Sequence, residues 1–132
     1  MKRLAALNSA TFVTFILIFF SACGSNSNIR DISANNLANQ LERNDMLILD
    51  VRTAQEFAAG HVPGATNMPH TSVKSQLDKL QGYKNKTIVI YCKSGRRAAM
   101  ARQTLTDAGF KQLLHLDGDM DSWQAGNFPI EK

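Results

Sequence analysis

The sequence predicts an α/β domain with a mostly parallel central sheet flanked by helices on both faces. Two short apolar runs, Met46 to Asp50 (MLILD) and Thr87 to Tyr91 (TIVIY), have the composition of buried strands. Segments with helical spacing and capping signals stand around them. Helices that alternate with buried strands imply parallel pairing and a sheet covered on both sides.

The 132 residues suffice for one domain, and the first 22 stand apart from it. Lys2 and Arg3 precede an apolar stretch, densest from Phe12 to Phe20, and the small residues Ser21 and Ala22 come before Cys23. That order is the order of an export signal. Phe20-Ser21-Ala22-Cys23 resembles the lipobox of bacterial lipoproteins, in which the cysteine is acylated and becomes the first mature residue. Phe20 stands where a leucine is preferred, and it also spoils an Ala-x-Ala cleavage site. The expectation is a signal peptide over 1–22 with lipidation at Cys23, a polar tether over 23–30 and a folded domain over 31–132. Export then leads to the periplasm or cell envelope, with a membrane tether through Cys23. Simple secretion and a retained span are the alternatives, since Leu4 to Phe20 falls just short of the roughly 20 residues that cross a bilayer.

Within the domain, Ser33 caps a helix with Leu37 and Leu41 on one face, ending near Asn44. The first strand, Met46 to Asp50, is followed at once by Thr53-Ala54-Gln55-Glu56, a capping box, and Gly60 closes that short helix. Pro63-Gly64 marks a turn into a brief extended piece that stops at Pro69. Ser72 opens a helix with Val73, Leu77 and Leu80 inward and Gly82 at its end. After the strand Thr87 to Tyr91, residues 96–108 read as a helix with Ala101, Leu105 and Ala108 inward. Leu113 to Leu116 reads as a last strand and Asp121 to Ala125 as a closing helix. Trp123, Phe57 and Phe110 are expected in the core.

Cys92 follows the strongest strand directly, and Cys92-Lys93-Ser94-Gly95-Arg96-Arg97 leads into a helix N-terminus. Backbone amides in such a turn converge on one point, where the helix dipole adds partial positive charge. Nearby Lys and Arg act in the same sense, so a thiolate is favoured there. Gly95 supplies a backbone angle that other residues resist. Two reactions suit the loop: attack on phosphorus, and attack on the outer sulfur of a sulfane donor. The spacing Cys92-x4-Arg97 is one residue shorter than the Cys-x5-Arg of cysteine phosphatases, and a smaller pocket suits one sulfur better than a phosphate.

Four segments together resemble the rhodanese family over nearly the whole mature chain. They are Asp50-Val51-Arg52, the block from Glu56 to Ala65 (EFAAGHVPGA), the loop from Tyr91 to Arg97, and Leu116 to Trp123, which is similar to the family's Leu-x-Gly-Gly-x-x-x-Trp. The resemblance implies a rhodanese-like fold and a thiosulfate-type sulfurtransferase. Cys92 then carries sulfur as a persulfide, and the substrate-binding loop is Lys93, Ser94, Gly95, Arg96 and Arg97. It implies a small anionic donor, thiosulfate or a persulfide, and a thiophilic acceptor such as cyanide, a thiol or a protein cysteine, with no cofactor. One position departs from the family pattern: Asp119 replaces the second glycine of the terminal pair, a change that alters a turn or places a carboxylate near the pocket. Asp50, Arg52 and His61 are expected to have structural roles near the site, as ion pair and turn hydrogen-bonder.

The formal charge of +4, which falls further if Lys2 and Arg3 are removed, does not argue for nucleic acid. His61, His70 and His115 lack metal-ligand spacing with one another or with the two cysteines. An idle binding module of the same fold remains as the rival reading.

Overall fold

A computed structural model describes residues 30–132. The expected signal peptide, Cys23 and the expected tether up to residue 29 lie outside the described residues. Five strands form one sheet: β1 (Arg30–Ile32), β2 (Met46–Asp50), β3 (Thr66–Asn67), β4 (Thr87–Tyr91) and β5 (Leu113–Leu116). Their order is β1-β5-β4-β2-β3, and every pairing is parallel. The α/β class expected from the sequence is therefore the one observed.

Alternation along the two central strands sorts the core into two layers. Leu47, Leu49, Ile88, Ile90 and Cys92 face one side, where they meet Leu80 and the α3 residues (Arg96–Asp107) Ala98, Ala101 and Leu105. Ile48, Val89 and Tyr91 face the other, against Leu37 of α1 (Ala34–Ala38) and Met120 and Trp123 of α4 (Asp119–Ala125). With β4 in the middle of the sheet, Cys92 leaves it at the centre of its carboxyl edge, where ligands of parallel sheets bind.

Local chemistry explains the boundaries. The Ser33 hydroxyl accepts the Asn36 amide at 3.2 Å and starts α1. That helix ends at Ala38, well before Asn44. The Gln40 and Arg43 amides take carbonyls three residues back, and Arg43 turns its guanidinium onto Asp45, so the chain tightens into turns. At α2 (Ala54–Ala59) both halves of the capping box form between Thr53 and Glu56. The segment opened by Ser72 is a 3₁₀ helix, Lys74–Tyr83, rather than an α-helix. Gln76 leaves helical geometry at φ −119°, and Val73 and Leu80 are both buried in the core. Strand β1 is the element that the sequence does not announce. Phe57 is only half-buried, and its ring stacks on His61 with centroids 3.6 Å apart.

Candidate active site

Cys92 lies at the bottom of its loop, 1% exposed. The Gly95 amide donates to its Sγ at 3.0 Å, and Gly95 sits at φ +109°, in the region glycine favours. Gly95 also caps α3, so the amide aimed at sulfur belongs to the mouth of a twelve-residue helix. The expected geometry is in place: a thiol at a strand end facing the positive end of a helix.

A second set of contacts holds the loop from below. The Met120 and Asp121 amides of α4 donate to the Cys92 and Lys93 carbonyls at 3.0 and 3.1 Å. The Asp119 carboxylate accepts the Cys92 amide at 2.8 Å. Its other oxygen lies 2.9 Å from His115 Nε2, and His115 Nδ1 lies 3.3 Å from Asp31 on β1. The hydrogen bond that His115 donates to Asp119, with help from both carboxylate charges, raises the His115 pKa above its ordinary 6.5 against the pull of burial. Asp119 is buried at φ +56°, a backbone conformation natural to the glycine that the family pattern has there.

The expected loop cations are not all free. Arg97 grips Glu56 through two bonds of 2.7 and 2.9 Å, and Lys93 Nζ contacts Asp121 at 2.9 Å. Both side chains rim the loop, but each brings its charge already paired. Ser94 and Arg96 are exposed beside them. The Arg97 hydrogen bonds push the Glu56 pKa down to about 2.

Asp50, Arg52 and His61 are not brought to the sulfur. Asp50 and Arg52 form a buried two-point ion pair, with Arg52 also donating to the Gly60 carbonyl at 2.8 Å. Arg52 lies under the Tyr91 ring, on the sheet face opposite Cys92. His61 Nδ1 bonds the Phe57 carbonyl at 2.8 Å. These groups shape the strand ends around the loop. The sequence pointed to Asp119 as a turn change or a carboxylate near the pocket, and the carboxylate is there, but it gave no sign of His115 and Asp31 as its neighbours, because the spacing of residues 31, 115 and 119 says nothing until β1 and β5 are paired. Among the described residues no cluster of three or more His, Cys, Asp or Glu is built to hold a metal.

A strand-ending cysteine under a helix-capping glycine, on a five-stranded parallel sheet, defines a class of small α/β domain. The rhodanese-like domain family model matches residues 33–126, and the chain belongs to that family. A sulfurtransferase of Allochromatium vinosum is 30% identical over 103 residues, covering 77% of this chain and 94% of its own length. A tRNA uridine(34) hydroxylase of Buchnera aphidicola is 33% identical over 91 residues, covering 66% of this chain but 29% of its own. A crystal structure from Staphylococcus saprophyticus superposes with a TM-score of 0.67 at 33% identity, covering 79% of this chain and all of that one. The family and the Allochromatium vinosum sulfurtransferase support a role in sulfur transfer.

Proposed function

We propose that this chain is an exported sulfurtransferase that moves sulfane sulfur from an anionic donor such as thiosulfate to cyanide or a thiol through a persulfide on Cys92. The contact that carries the reading is the Gly95 amide on Cys92 Sγ, 3.0 Å, at the head of α3. In the first half-reaction the Cys92 thiolate attacks the outer sulfur of thiosulfate. A bond forms between Sγ and that sulfur, the donor's S–S bond breaks, and sulfite leaves with the bonding pair. The persulfide's terminal sulfur carries the negative charge that loop amides and the helix dipole stabilise. In the second half-reaction the acceptor attacks that terminal sulfur and Cys92 departs as thiolate. Cyanide yields thiocyanate, and a thiolate yields a new persulfide. The Allochromatium vinosum sulfurtransferase, matched along nearly its whole length, supports this direction.

Intact-mass measurement after thiosulfate treatment tests it. The expected result is a gain of one sulfur atom, lost on adding cyanide and absent in Cys92→Ser. Full thiosulfate:cyanide activity in Cys92→Ser overturns it, and so does a wild-type protein that takes up no sulfur. The same measurement on protein taken from membranes reads Cys23. An acylated mature chain beginning at Cys23 supports the tether, and an unmodified soluble chain favours simple secretion.

A further inference from the structure

We propose that Asp119 and His115 are positioning residues for the Cys92 nucleophile: the Asp119 carboxylate anchors the Cys92 amide, and His115, as an imidazolium, cancels the carboxylate's charge beside the sulfur. The inference builds on the reading of Cys92 as nucleophile.

The contacts form one connected line. Asp31 Oδ1 stands 3.3 Å from His115 Nδ1, His115 Nε2 stands 2.9 Å from Asp119 Oδ2, and Asp119 Oδ1 takes the Cys92 amide at 2.8 Å. Ionised carboxylates can only accept, so both ring nitrogens make hydrogen bonds only when both carry protons. The two carboxylate neighbours therefore favour the charged ring, the direction in which its pKa is shifted. Asp119 is 1% exposed, so little solvent screens its charge, and an uncompensated carboxylate there would oppose both a thiolate and an incoming anion.

The pair also lies directly against the loop. A methyl group placed on Gly95 would come within 3.1 Å of Asp119 Oδ2 and 3.8 Å of His115 Nε2. The charged groups in contact with His115 are Asp31 from β1 and Asp119 from α4. Its neighbour in register on β4 is the apolar Ile90. The pair thus offers a charge-neutral support to a loop whose own cations are largely paired.

The test is a double-substitution cycle read by the rate at which iodoacetamide alkylates Cys92 at neutral pH, with persulfide formation from thiosulfate followed in parallel. His115→Gln keeps a donor toward Asp119 but removes the positive charge, and should slow alkylation about tenfold, the scale of one poorly screened charge. Asp119→Asn keeps an acceptor for the Cys92 amide and removes the negative charge. Combined with His115→Gln it should bring alkylation back to within about threefold of wild type, because the local charge is again balanced. A double variant as slow as His115→Gln or slower overturns the proposal, since damage that is merely structural would not be repaired by a second substitution. An unchanged rate in His115→Gln overturns it as well. Alkylation needs no sulfur donor, so the cycle holding without any persulfide would reject the sulfurtransferase reading and leave this one standing.

Discussion

Arg97, in the first turn of α3, holds Glu56 of α2 by two hydrogen bonds across 41 residues of chain. The same carboxylate accepts the Thr53 amide at 3.0 Å, so one side chain both starts α2 and fixes the far rim of the Cys92 loop. Two elements that the sequence separates are locked at their N-terminal ends.

Acid should loosen this lock. The Glu56 pKa is lowered from 4.5 to about 2, chiefly by the Arg97 hydrogen bonds. A depressed carboxylate contributes stability that is fully present above its unfolded pKa and lost as pH falls through its folded one. The contribution should therefore fade between pH 4.5 and about 2. Urea midpoints measured through that window should fall more steeply for wild type than for Glu56→Gln. At pH 7, Glu56→Ala should cost about 1 to 2 kcal/mol, mostly from the lost cap, because a partly exposed ion pair adds little. Equal acid slopes in wild type and Glu56→Gln would remove the assignment.

Gly95→Ala should damage the site more than the fold. A methyl group must adopt φ +109° and meets Asp119 Oδ2 at 3.1 Å, so the loop or Asp119 has to shift. The backbone penalty is about 1 to 3 kcal/mol, a loss that thermal unfolding can resolve. The Gly95 amide would move off Cys92 Sγ with it, and the rate of persulfide formation should drop more than tenfold, the usual effect of removing one donor from a stabilised anion.

The parts of this arrangement differ in how plainly they could be read from sequence. Met46 to Asp50 and Thr87 to Tyr91 are buried on both faces, so burial wrote itself into continuous apolar runs. Arg30–Ile32 pairs with a single neighbour and buries only Ile32, and three mixed residues leave no period to detect. The Thr53–Glu56 capping box is local and was legible in full. The second use of Glu56 was not, because a partner 41 residues away is set by tertiary packing. Leu37 and Leu41 predicted a longer helix than formed, since Arg43 and Gln40 found better partners in turns. At the site, Cys92 and Gly95 were legible from their place between strand and helix. The pairing of Lys93 and Arg97 with carboxylates was not, and it changes the loop from a field of free cations to one that relies mainly on amides and the helix dipole.

Asp50→Ala should be among the most costly single changes in the chain. Arg52 is 5% exposed and Asp50 fully buried, so removing the carboxylate strands a buried guanidinium that keeps only the Gly60 carbonyl. The expected loss is about 3 to 5 kcal/mol in chemical denaturation. Replacing both partners together, Asp50→Leu with Arg52→Met, should cost clearly less, since no uncompensated charge is left behind. Similar losses from the two variants would show that the carboxylate's bonds to backbone, rather than charge pairing, dominate.

Tyr91→Phe tests the opposite face of the same strand. The Tyr91 hydroxyl accepts the buried Val62 amide at 3.1 Å, joining the last residue of β4 to the turn after α2. Burial is the largest influence on this phenol and raises its pKa, so it stays neutral and able to accept that bond throughout the folded state's range. Phenylalanine fills nearly the same space but leaves the Val62 amide without an acceptor, at about 1 to 3 kcal/mol. Because Tyr91 points away from Cys92, the loss should appear in the urea midpoint far more than in sulfur uptake at saturating thiosulfate. Faster hydrogen exchange at the Val62 amide should locate the effect. An unchanged exchange rate at Val62 would mean that the hydroxyl does not hold it.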